Sequence, residues 1–196
     1  MVGSAVDFTK LRLSDFLEEV SARTPAPGGG SVAAIAGAMA AGLAAMAARF
    51  SEEYWPDARG AVAQAETLRS RLAFLAQVDA DAYEEALATF RLPKDVAPSE
   101  RDAAIGLALS HAADVPLQVA EAATDIAELA ALAAEHGNPN LRGDAAAAAL
   151  LAEAVARAAA NLVAINLGVT AEDERISRSH RIVEAASAAA KRALAA

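Results

Sequence analysis

Alanine dominates the apolar half of this chain, and that restricts it to one kind of architecture. Hydrophobic residues make up 55% of the sequence, but aromatic residues only 4%. Alanine is the best helix former and a poor strand former. Each methyl buries little area, so stability has to come from many close helix–helix contacts rather than a few large anchors. No alternating strand pattern, internal repeat or inter-domain linker interrupts the sequence. The expectation is an all-α, single-domain bundle of six to seven helices over residues 1–196, with a buried alanine-rich central helix. A subunit interface is a natural supplement, because small residues leave flat apolar surfaces.

Punctuation residues divide the bundle. Ser14 reads as an N-cap for a first helix carrying Leu13, Phe16, Leu17 and Val20 on one face. Thr24-Pro25-Ala26-Pro27-Gly28-Gly29-Gly30-Ser31 is a stiff turn followed by a permissive one, with Ser31 placed to cap a helix running to about Ser51. Trp55-Pro56-Asp57 opens a long helix that ends near Leu92-Pro93. Ser99 with Asp102 reads as a capping box, and Pro116 is expected to kink or split the helix that follows. His136-Gly137 closes it. Asp144 is placed as the N-cap of a helix apolar on nearly every face, which ends at Gly168. Thr170 with Asp173 suggests a last capping box.

Charge and composition exclude several function classes. Seventeen Lys and Arg stand against 26 Asp and Glu, a formal net charge of −9. That balance opposes nucleic-acid binding, which depends on basic patches that release counterions, and it repels anionic membranes. Cysteine is absent, so disulfides, thiolate metal sites and cysteine nucleophiles are excluded. His111, His136 and His180 form no metal-binding spacing. The N-terminus lacks the layout of a signal peptide, which predicts a cytoplasmic chain. The uncharged run from Gly28 to Ala48 is long enough to weigh as a membrane span. Its Ala and Gly content gives a weak drive for insertion, and a buried helix is the better reading.

Three segments carry groups suited to chemistry. In Pro27-Gly28-Gly29-Gly30-Ser31 the glycines allow backbone to approach a ligand, and the following helix presents free N–H groups. A tight helix–helix turn accounts for the same residues. Asn138, Asn140, Arg142 and Asp144 place two amides, a guanidinium and a carboxylate at a helix entrance. They suit a polar heterocycle with a general base beside it, or ordinary loop and cap bonding. Asp79 and Tyr83 share a helix face, whereas Asp81 points elsewhere. Asn161 and Asn166 fall in the apolar helix, where an amide must find partners, either by bridging helices or by lining a pocket. Glu153 and Arg157 read as a structural pair.

Taken together, these segments resemble the formiminotetrahydrofolate cyclodeaminase / methenyltetrahydrofolate cyclohydrolase family over roughly residues 11–190. The resemblance rests first on Leu13-Ser14-Asp15-Phe16-Leu17 and Thr24-Pro25-Ala26-Pro27-Gly28-Gly29-Gly30-Ser31. Asp79 with Ala82-Tyr83, Leu92-Pro93-Lys94 and Ala113-Asp114-Val115-Pro116-Leu117 support it, as do Gly137-Asn138, Asn140, Asp144 and Ile165-Asn166-Leu167. It implies a homodimer acting on a reduced folate, with no cofactor or metal beyond that tetrahydrofolate substrate. Asp144 or Asp79 would move protons, the glycine loop would hold the pterin or the glutamate tail, and Arg142 or Lys94 would meet the tail carboxylates. Gly143, Leu162 and Gly168 depart from the family's usual residues. They motivate an alternative, a catalytically silent helical dimer that binds folate or a protein partner.

Overall fold

A computed structural model describes residues 7–93, 97–168 and 172–196. Lys94 and Thr170 lie outside the described residues. Six α-helices follow in order: α1 (Leu13–Ser21), α2 (Gly29–Arg49), α3 (Ala58–Phe90), α4 (Pro98–His136), α5 (Arg142–Leu167) and α6 (Glu174–Ala195). Short 3₁₀ turns at Phe8–Lys10 and Pro139–Leu141 complete the elements, and the described residues contain no strand.

Helices α2 to α6 form the bundle. α4 and α5 pack most extensively, α2 lies against α3, α4 and α5, and α6 closes over α4 and α5. Alanine makes this close approach possible. Ala122, Ala123, Ala127, Ala130 and Ala131 of α4 are fully buried, as are Ala145, Ala148, Ala149 and Ala152 of α5. The few large interior side chains, Leu72, Val119, Ile126 and Val163, sit among them as spacers. Gly37 marks a close approach in the middle of α2. A Cβ there would stand 3.0 Å from Leu72 of α3 and 3.4 Å from Val155 of α5, so even a methyl group would press on both neighbouring helices. By length and apolar content α2, α4 and the Pro139–Leu167 segment would each suffice to cross a bilayer, but 56% of the apolar window in α2 is buried inside the bundle.

Several predicted boundaries are corrected by the structure. α1 starts at Leu13 after Arg12, and Ser14 bonds its neighbour Asp15 instead of capping. α2 starts at Gly29 with Gly28 as its N-cap, and Ser31 is already inside the helix. α4 begins at Pro98 after Ala97 without a side-chain cap, so Ser99 and Asp102 form no capping box. Pro116 does not split α4, which runs through it. Asp144 lies in the first turn of α5, not at its N-cap. Asp173 does cap α6, accepting from the Arg175 amide.

The lower end of the bundle is tied by one buried hydroxyl. Ser51, just past α2, donates to the Ala47 carbonyl at 2.7 Å and accepts from the Asn138 amide at 2.9 Å. A Cβ on Gly137 would collide with the Ser51 side chain and the Ala133 carbonyl, which explains a glycine at the end of α4. Ser51→Ala leaves the Asn138 N–H unpaired and is expected to cost about 1–3 kcal/mol. Urea unfolding is expected to show a lower midpoint with an unchanged slope; an unchanged midpoint would show that the hydroxyl does not hold the two ends together.

Candidate active site

At the opposite end, the glycine corner meets α3 and α5. The loop before α2 turns at a cis Ala26–Pro27 peptide and enters the helix at Gly28-Gly29-Gly30. No side chain caps the first turn from within the loop. Asp79, from the middle of α3, takes that place: its carboxylate accepts from the Ser31 hydroxyl at 3.1 Å and also from the Ser31 amide. Gly30 makes the arrangement possible, since a Cβ there would overlap the carboxylate. The corner therefore needs a glycine for close approach, while Ser31 serves as the donor that orients Asp79.

Two electrostatic effects oppose each other at Asp79. Burial disfavours the charged carboxylate and raises its pKa; the Ser31 hydroxyl and amide favour the charged form and lower it. Burial wins, and the pKa lies above the ordinary aspartate value. A carboxyl shifted in that direction exchanges protons more readily near neutrality than a surface aspartate does.

The carboxylate faces a cavity of about 280 Å³. Pro25, Ala26 and Gly28–Gly30 form one wall, with Asp79, Ala80 and Tyr83 on a second and Leu162, Ile165 and Asn166 on the third. Tyr83 lies one helical turn beyond Asp79, and Leu162 and Asn166 form a matching pair one turn apart on α5. Asn166 donates its Nδ2 to the Ala112 carbonyl of α4 at 2.9 Å, so it both bridges helices and lines the pocket. Wider grooves of about 610 and 510 Å³ run between α3 and α4, but neither has a buried carboxylate set over a helix N-terminus. Chemistry, not size, selects the glycine corner.

The predicted residues divide between two places. Gly28, Gly29, Gly30, Asp79 and Asn166 line the cavity, Ser31 bonds Asp79 from behind, and Pro27 is buried in the turn. Asn138, Asn140, Arg142 and Asp144 lie elsewhere. The Asn138 side chain donates to the Phe50 carbonyl at 3.2 Å and accepts from the Asn140 amide at 3.0 Å, beyond the far end of α2. The 21 residues of α2 span about 30 Å at ~1.5 Å per residue, so the two stretches share no cavity within one protomer. Asn138 and Asn140 are there engaged in loop bonding, and Arg142 is exposed. Leu162 and Ile165 were not anticipated as lining residues, although their spacing with Asn166 puts them on one side of α5. Among the described residues no three His, Cys, Asp or Glu side chains gather as a metal site.

The formiminotransferase-cyclodeaminase family model matches residues 12–190. A methenyltetrahydrofolate cyclohydrolase of Methylorubrum extorquens is 34% identical over 182 residues, covering 88% of this chain and 86% of that protein. A formimidoyltransferase-cyclodeaminase of Mus musculus is 32% identical over 177 residues, covering 86% of this chain but only 32% of the mouse protein. The chain thus spans about a third of that larger relative. The crystal structure of a formiminotetrahydrofolate cyclodeaminase from Thermotoga maritima superposes with a TM-score of 0.82 at 30% identity, covering 95% of this chain and 96% of that one.

The raised pKa of Asp79 gives a signed stability prediction. The folded state holds this proton more tightly than the unfolded chain, so the group supports folding at pH below the ordinary aspartate value. That support is lost as pH rises through the raised folded value. Asp79→Asn is therefore expected to melt higher than wild type at neutral pH, with the gap closing on acidification. A gap independent of pH in thermal melts from acid to neutral would contradict it.

Proposed function

The chain belongs to the formiminotransferase-cyclodeaminase family, and from that premise we propose that the glycine-corner cavity binds the one-carbon end of a reduced folate and transforms it. The observation that carries this reading is the partly buried Asp79 carboxylate, held over the start of α2 and facing a cavity whose far wall is an asparagine. The reading includes a cytoplasmic homodimer with no cofactor beyond the tetrahydrofolate substrate, and no nucleic-acid or membrane partner.

Two reactions named among the relatives share one requirement. Each passes through a tetrahedral carbon attached to N5 and N10, and each needs a group that takes up a proton and returns it. In hydrolysis, water adds to the cationic methenyl carbon and its proton passes to Asp79. The carbon–N5 bond then breaks as N5 receives that proton. The remaining hydroxyl proton leaves to solvent, and the formyl group stays on N10. In cyclodeamination, N10 adds to the carbon of the protonated formimino group. The N10 proton passes through Asp79 to the departing nitrogen, and ammonia leaves to give the methenyl bridge. A negative carboxylate also stabilises the cationic bridge in both directions. The glycine backbone admits a flat ring, and Leu162 and Ile165 supply apolar contact for its face.

The homodimer reading is supported by α5. Ala147, Leu150, Leu151, Ala154, Ala158 and Ile165 form an exposed, largely apolar stripe along this helix. Leu150 is 42% exposed and Ile165 62%. Two copies paired antiparallel about Ala154 would bury the stripe and bring one protomer's Asn138–Asp144 entrance toward the other's glycine corner. Asn138, Asn140, Arg142 and Asp144 would then serve the site in trans, with Arg142 placed for the carboxylates of the glutamate tail. Lys94 is proposed for the same carboxylates.

Spectroscopy tests both parts. Consumption of methenyltetrahydrofolate marks the hydrolase, and its formation from 5-formiminotetrahydrofolate with ammonia release marks the deaminase. Asp79→Asn is expected to lower turnover by ~10²–10⁴-fold, the usual worth of general acid–base catalysis. Asp144→Asn is expected to lower it too, and Ala154→Glu to give a helical monomer of low activity. Full turnover in Asp79→Asn would remove the proton-transfer role, and full turnover in a monomeric Ala154→Glu would confine the site to one protomer.

A further inference from the structure

Pro116 lies inside α4 without breaking it, and its consequence falls on the cavity. In an α-helix each carbonyl accepts from the amide four residues ahead. Proline has no N–H, so the Ala112 carbonyl loses its helical donor. The replacement comes from another helix: Asn166 Nδ2 of α5 donates to that carbonyl at 2.9 Å. Only the NH₂ side of a carboxamide can face a carbonyl, so this bond fixes which way the amide is turned. Oδ1 is directed away from Ala112 and has no partner among the described residues. The side chain lines the cavity across from Gly29, Gly30 and Asp79.

We infer that Asn166 presents its carbonyl oxygen to the ligand as a specificity-determining acceptor for an N–H group, and that Pro116 is the positioning residue that holds it so. The ligand edge it selects carries a ring N–H or an exocyclic amine; an edge with only acceptors would meet lone pairs. This rests on the reading of the cavity as a reduced-folate site. It explains why a proline stands in the interior of a long helix without splitting it: the missing amide becomes an anchor point for the neighbouring helix.

A double-mutant cycle with tetrahydrofolate substrate isolates the relay. Asn166→Ala removes the acceptor. Pro116→Ala restores an amide to α4, so the Ala112 carbonyl returns to its helical donor and Asn166 loses its orientation. Each single variant is expected to raise KM about tenfold with kcat nearly unchanged, the signature of an interaction made equally in ground and transition states. In the double variant KM is expected to match that of Asn166→Ala alone. Multiplied effects, near a hundredfold, would mean that Pro116 acts independently of Asn166 and would overturn the proposal. A ligand-free readout runs beside it: the Asn166 side-chain NH₂ resonances should exchange slowly in the wild type and quickly in Pro116→Ala. Equal exchange in both overturns the positioning role. If wild type binds no tetrahydrofolate while this exchange difference persists, the folate reading fails and the Pro116–Asn166 coupling stands.

Discussion

The site depends on a single close approach: the Asp79 carboxylate lying over the first turn of α2. Three conditions meet there. The helix must begin without a side chain at Gly30, because a Cβ would occupy the carboxylate's position. Ser31 must follow, to supply a hydroxyl and an amide to the same group. Finally, α2 and α3 must pack closely enough for an aspartate to reach across, which Gly37 against Leu72 and the alanine-lined helix faces allow. The composition that limits the chain to small-residue packing is thus also what brings a carboxylate onto a helix N-terminus. That location is favourable for an anion, yet burial still raises the pKa. The result is a carboxyl that holds its proton more tightly than a surface aspartate does.

Much of the fold was legible because alanine content, helical spacing and glycine–proline punctuation are local signals. The helix ends at Gly137 and Gly168 and the long helix after Asp57 all follow from such signals. Ser14, Ser31, Ser99 and Asp144 all have capping chemistry, yet none caps its helix; two of them bond other side chains, Ser14 to Asp15 and Ser31 to Asp79. Ser31 is the clearest case, since its hydroxyl is engaged by a residue 48 positions away.

The same limit explains the site. The glycine corner and the Asp79–Tyr83 face could be seen separately as candidates, but their meeting is a long-range contact with no local trace. The Asn138–Asp144 stretch looked equally rich in polar groups. In the protomer its asparagines are engaged in closing the far end of the bundle, through Phe50, Ser51 and each other. Leu162 is a departure from the family pattern in sequence, and in the structure it lines the cavity across from the glycines. This wall is more apolar than an asparagine there would make it, and so suits the face of a ring better than its edge. Asn166 then stands as the polar group on the α5 side that can read an edge.

Co-crystallisation with 5-formyltetrahydrofolate, a reduced folate, tests this placement of the ligand. The pterin is expected between the glycine corner and Leu162, with the N5 substituent within hydrogen-bond reach of Asp79 and a ring N–H or amine on the Asn166 carbonyl oxygen. A folate bound in the α3–α4 groove, or bound with Asp79 facing solvent, would contradict it.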